Sequence, residues 1–167
     1  ARYPAEPDLV AGALTFNSRT VYPDDSHENY GAVIEGIYTA PETGEFDFFL
    51  SSDDASELLI SPDDKEANLG QVAFENGCCN AFKEPGADQT TASPISLVKG
   101  KKYYFRAVYK EGGGGDYVQV AMRKTTDGTP ASLLKPMSAK DFSVASGVAV
   151  NPQGTFLEIS PAAGAKG

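Results

Sequence analysis

Apolar residues in this chain recur at every second position, and no long stretch carries the three-to-four-residue stripe of an amphipathic helix. Tyr103, Phe105, Ala107 and Tyr109 fall on one face of a single run, opposite Tyr104, Arg106, Val108 and Lys110. Phe46, Phe48 and Leu50 lead into a polar corner, and Leu58 and Ile60 continue out of it. The pattern predicts strands over residues 32–39, 45–50, 57–61, 95–97, 102–109 and 116–124. Turn-like clusters join them at Pro41-Glu42-Thr43-Gly44 and Val98-Lys99-Gly100-Lys101. Many short strands at this spacing predict an all-β fold, an antiparallel two-sheet β-sandwich with a long inserted loop region. The insertion covers residues 62–94, which follow no clear period and form either a surface excursion or part of a binding face. Residues 125–140 are irregular, with a short helical turn expected over 138–142, and the last runs, 147–150 and 155–159, are expected to return a strand to the sandwich.

At 167 residues the chain is expected to form one domain over residues 1–160, followed by a small-residue, linker-like tail over 161–167. It reads as a module of a larger multidomain chain. Asp and Glu total 23 against 14 Lys and Arg, a net charge of -9, which argues against nucleic acid or an anionic membrane as partner. No apolar run approaches the ~20 residues needed to span a bilayer, so membrane insertion is not expected. Neutral ligands and divalent cations fit the charge better.

Two loops concentrate the candidate chemistry. Ser51-Ser52-Asp53-Asp54-Ala55-Ser56-Glu57 sets two adjacent carboxylates at a strand-to-strand corner, where a hard cation such as Ca²⁺ would offset their repulsion. Lys110-Glu111-Gly112-Gly113-Gly114-Gly115-Asp116 interrupts two later strands, either as a flexible hairpin tip or as a backbone free to turn towards an ion. Asp24-Asp25 and Asp63-Asp64 follow prolines and read as solvated turns. Cys78 and Cys79 are adjacent, and three readings stand: a vicinal disulfide in an oxidising compartment, two free thiols, or pairing with another chain. Catalysis finds little support. His27, the single histidine, lies in a polar loop, and no Gly-x-Ser-x-Gly elbow exists, so the module is expected to be non-enzymatic.

Taken in order, Tyr30-Gly31-Ala32-Val33-Ile34-Glu35-Gly36-Ile37-Tyr38, Ala40-Pro41-Glu42-Thr43-Gly44-Glu45-Phe46-Asp47-Phe48, the Asp53-Asp54 corner, Pro94 to Tyr104 and Asp116-Tyr117-Val118-Gln119-Val120 resemble the PA14 family. That family is a β-sandwich module of toxins, adhesins and glycoside hydrolases. The resemblance implies a Ca²⁺-dependent carbohydrate-binding module, secreted or on the cell surface, whose partner is a glycan or polysaccharide. It further implies a cis Asp53-Asp54 peptide whose carboxylates hold Ca²⁺, with Asp116 and main-chain oxygens of Gly112 and Gly114 completing the site, and the ion taking two sugar hydroxyls. Several sugar-binding members carry a tryptophan near the second loop; this chain has none, which assigns stacking to Tyr117 or to Phe82 from the insertion. The rival expectation is a structural or protein-interaction module in which Ca²⁺ only orders the loops.

Overall fold

The computed structural model describes residues 9–144 and 157–161. Among the described residues, ten strands form two antiparallel sheets. The larger is built from β1 (Ala11–Ala13), β2 (Tyr30–Thr39), β4 (Ser56–Ile60), β5 (Gly70–Glu75), β7 (Lys102–Glu111), β9 (Phe142–Ser143) and β10 (Leu157–Pro161). Its order is β1-β10-β2-β7-β4-β5, with β9 also pairing to β2. The smaller is β6-β3-β8, from β3 (Gly44–Asp53), β6 (Ile95–Leu97) and β8 (Tyr117–Lys124). Four short 3₁₀ turns are the only helical elements among the described residues, one of them Ala139–Asp141, inside the expected 138–142 turn.

The β7 alternation positions the core. Tyr103, Phe105, Ala107 and Tyr109 are buried between the sheets, while Arg106, Val108 and Lys110 face outwards. Phe105 packs edge-on against Phe48 (ring centroids 5.2 Å), Tyr38 (5.4 Å) and Phe142 (5.8 Å). Burying one such ring is worth about 1.5–3 kcal/mol, so this knot ties both sheets together. Tyr104 departs from the pattern. It is buried on the outer face because the turn after β4 folds over it: Tyr104 N donates to Asp63 O (2.7 Å), and the Arg106 guanidinium lies 5.5 Å from its ring centroid.

β3 is buried on both faces, with neighbouring Phe48 and Phe49 each at 0% exposure. One faces the other sheet, and the other needs a separate cover. That cover comes from the insertion, which therefore belongs to the body of the fold. It contributes β5, and its distal part continues along the open edge of β3, where Leu50 N donates to Gln89 O (2.8 Å) and Thr91 N to Phe48 O (3.0 Å). Phe82 from the same segment packs with Phe49, Ala121 and Ala131 in a second apolar cluster. It is 6% exposed, which corrects its expected role as a sugar-stacking ring: Phe82 is taken up in covering the outer face of the small sheet. Strand β10 runs through Pro161, the first residue of the expected tail. The run 147–150 and residues 162–167 lie outside the described residues.

Candidate functional site

Strand β3 ends at Asp53 and β4 begins at Ser56, so the turn between them is Asp54 and Ala55. Small side chains hold this corner. Ser52 Oγ lies 2.5 Å from Asp54 O and 2.7 Å from Ser56 Oγ, and Lys110 N donates to Ala55 O (2.9 Å). The Asp53–Asp54 peptide is cis, as the family resemblance implies. The connection from β7 to β8 lies directly against it. Gly112 N donates to Asp54 Oδ2 (2.8 Å), and Gly114, at φ +111°, turns its N–H towards Glu28 Oε2 (3.2 Å). Gly115 approaches closest: a Cβ there would sit 2.1 Å from Asp53 Oδ2, so any side chain would have to displace the Asp53 carboxylate.

Asp116 closes the loop and is fully buried. Its N–H donates to Asp25 Oδ1 (3.0 Å), and its Oδ1 accepts a short hydrogen bond from the Tyr30 hydroxyl. The Tyr109 hydroxyl, with one proton, lies within reach of three acceptors: Asp53 O (2.6 Å), Glu111 Oε2 (2.7 Å) and Asp116 Oδ1 (3.2 Å). The other oxygens of these two acids, Asp116 Oδ2 and Glu111 Oε1, are buried without a hydrogen-bond partner.

Negative charge dominates the site. Burial first, and the Asp54 charge next, push the Asp53 carboxyl above the ordinary range. Burial likewise raises Glu111, with the charges of Asp54, Asp116 and Asp53 adding to it against the Tyr109 hydrogen bond. Arg19 is the nearby cation, paired with Asp25 at 2.5 Å and lying 5.2 Å from the centroid of the Tyr117 ring. A buried carboxylate oxygen without a donor, beside further acids and glycine backbone, fits a hard cation that takes six to eight oxygens in loose geometry. That donor set is of the hard-cation kind, but among the described residues no three carboxylates bring oxygens within 4.8 Å of one another, and the one such group joins Asp53 to Cys78 and Cys79.

Cys78 and Cys79 are joined to each other, and Cys79 Sγ lies 3.2 Å from Asp53 Oδ2. A disulfide sulfur has no proton to donate and is no thiolate, so this grouping of Asp53 with two sulfurs is not a soft-metal site. The segment is pinned by Cys79 N donating to Ser52 O (3.0 Å) and by a short bond from Ser51 Oγ to Asn80 O.

Asp53, Asp54, Gly112, Gly114 and Asp116 are thus brought to one end of the sandwich, with Gly112 and Gly114 presenting N–H groups to acids. Tyr117 pairs across the sheet with Asp53 and lines a cleft of about 270 Å³ with Asn17, Arg19 and Gln119, within reach of the corner. Sequence reasoning missed Asp25, Glu28, Glu111, Tyr30 and Tyr109. Asp25 belonged to a pair set aside as a turn, and Glu111 directly preceded the glycine run. Their link is the pairing of Tyr30 with Glu111, which brings residues 25–30 beside the second loop.

The sequence matches the PA14 domain model over residues 15–131. The chain belongs to the PA14 domain family. A mouse protein, N-acetyl-beta-glucosaminyl-glycoprotein 4-beta-N-acetylgalactosaminyltransferase 1, is 31% identical to this PA14 domain over 112 residues. That match covers 64% of the chain but 11% of the mouse protein. Two solved structures from Candida glabrata are also similar, both in complex with Galβ1-3GlcNAc. The epithelial adhesin 9 A domain has a TM-score of 0.45 at 17% identity, covering 72% of this chain and 55% of its own. For the epithelial adhesin 6 A domain the TM-score is 0.49 at 14% identity, with coverages of 84% and 58%.

Proposed function

We propose that this PA14 domain is a non-catalytic, Ca²⁺-dependent carbohydrate-binding module, carried by a larger secreted or surface protein. The observation that supports it most is Asp116 Oδ2, a fully buried carboxylate oxygen with no donor, next to the Asp53-Asp54 corner. Asp53, Asp54 and Asp116 would hold the ion, with Gly112 and Gly114 bringing the loop backbone against it. A bound Ca²⁺ supplies open coordination positions for two neighbouring sugar hydroxyls. The protein's own part is to fix the acids: Tyr30 and Tyr109 hold Asp116, Gly112 holds Asp54, and Gly115 lets the loop close on Asp53. Tyr117 offers an apolar face beside the corner. The disulfide at Cys78–Cys79 suits an exported protein. Intact mass before reduction checks this, and two alkylatable thiols in native-source protein would remove that support.

Calorimetric titration with fucose, mannose, galactose and glucose, with calcium and then with chelator, tests the reading. A sugar that binds equally well in chelator refutes the calcium bridge. A second reading draws on the complete burial of Asp116 and near-complete burial of Glu111, which would also suit an ion enclosed to order the loops in a structural or protein-interaction module. Calcium stabilisation with no binding on a broad glycan array would favour it.

A further inference from the structure

The Asp53-Asp54 corner is short of free aromatic surface. The chain has no tryptophan, Phe82 is taken up in covering the small sheet, and the Tyr117 ring already has the Arg19 guanidinium 5.2 Å from its centroid. Among the described residues, the large exposed apolar side chains Leu9, Leu14, Val98 and Leu133 all lie outside the two loops of the corner. What stands there instead is the Cys78–Cys79 disulfide. Both sulfurs lie within 4.8 Å of an Asp53 carboxylate oxygen, Cys79 Sγ at 3.2 Å from Oδ2, and neither cysteine is buried. The insertion fixes them in place. Cys79 holds φ +70°, a conformation that residues with a side chain rarely adopt, while its N–H donates to Ser52 O (3.0 Å) and Asn80 Nδ2 donates to Cys78 O (2.8 Å).

We infer that the Cys78–Cys79 disulfide is the apolar platform of the sugar site, meeting the C–H face of the sugar unit whose hydroxyls are held at Asp53 and Asp54. The chemistry of the pair favours that occupant. Joined to each other, the sulfurs carry no proton and accept hydrogen bonds weakly, so a hydroxyl or a charged group gains little from them, whereas C–H groups gain dispersion contact with polarizable sulfur. Closeness to Asp53 sets the same limit. A pyranose carries hydroxyls and C–H groups on neighbouring atoms, so a unit whose hydroxyls reach Asp53 brings C–H groups towards sulfurs that touch the same carboxylate. A pair of side chains closed on itself also has little rotamer freedom to lose when a ligand settles on it.

The inference rests on the carbohydrate-binding reading, and the experiment separates the two. The whole chain, in saturating calcium, is titrated by calorimetry with fucose, mannose, galactose and glucose in three forms: the oxidised parent, the parent reduced with a phosphine and checked by intact mass, and the Cys78→Ala, Cys79→Ala double variant. Affinity for the preferred sugar should fall about tenfold in the double variant and about threefold on reduction, with the calcium-dependent shift of the melting midpoint kept in both. Parent-like sugar affinity in both altered forms overturns the platform and leaves the carbohydrate reading standing. Loss of the calcium shift in both also overturns it, because the pair would then act by positioning Asp53. Binding of no sugar by the oxidised parent overturns the carbohydrate reading and the platform with it.

Discussion

Two of the chain's three Asp-Asp pairs, Asp53-Asp54 and Asp63-Asp64, behave as opposites. Asp63 of the Asp63-Asp64 pair has both oxygens satisfied: Oδ1 accepts from Ser61 Oγ (2.8 Å) and Lys65 N (3.0 Å), and Oδ2 from Asn68 Nδ2 (2.8 Å). Those bonds, that from Lys65 N first, hold its carboxyl below the ordinary range. At Asp53 the neighbours are a disulfide sulfur and further acids, and the carboxyl is pushed up. Adjacent aspartates are therefore not themselves the mark of an ion site. What sets the proposed ion site apart is acceptor capacity that the protein leaves unmet, as at Asp116 Oδ2.

Calcium should separate the corners most sharply. At a hundredfold excess over Kd it should add about 2.7 kcal/mol to the stability of the parent protein. Asp53→Ala or Asp54→Ala should abolish the gain, and Asp63→Ala should keep it. Thermal melts with calcium or chelator measure this, and an unchanged parent midpoint at millimolar calcium would break the comparison.

Glycines sharpen it next. Gly115→Ala forces a Cβ against Asp53, so it should cost about 1–3 kcal/mol in urea unfolding and blunt the calcium response. Gly128→Ala, with nothing within 4 Å of the added atom, should stay within about 0.5 kcal/mol.

Titration gives a smaller effect of known sign. A carboxyl raised in the folded state binds more protons there than in the unfolded chain, so stability falls as pH rises from about 4 through the raised value. In chelator, Asp53→Asn lacks that loss. Its stability relative to the parent should increase over this window, and a flat difference would contradict the raised Asp53. Asp63 has the opposite sign: its contribution is present above the ordinary range and declines as pH falls through its lowered value. The smallest expected effect is at Tyr117, where Tyr117→Ala should weaken sugar binding about two- to tenfold and leave the calcium shift of the melt intact. Loss of that shift would make Tyr117 part of the ion site.

How legible these features were in the sequence depended on how local their causes are. β7 could be read residue by residue because its alternation matches the face it buries, save Tyr104 under a distant turn. β5 was missed because its pattern is broken by a register shift at Val72 and carries a half-buried Phe74 on the outer face, while Ala73 and Glu75 are buried. The two-residue β9 and the three-residue β1 exist through strands paired from far away. Likewise the acid pair and the glycine loop were visible as motifs, whereas Asp25 and Glu28 reach the site only through the register of β2 on β7. Phe82 misled because an apolar residue in a long loop looks available, and nothing nearby reveals that Phe49 needs a cover.

The position of β10 bears on how the molecule is made. β2 has β7 along one edge for its whole length, and on the other β10 and β9. The slot between β1 and β2 is thus filled by the last described strand, although both its walls emerge from the ribosome early. Until residues 157–161 arrive, β2 keeps a bare edge over residues 32–35, a template for pairing with another nascent chain. A fragment trimmed to residues 15–131 would carry that edge permanently. It should express with more aggregation than the full chain, although every acid of the candidate site is retained.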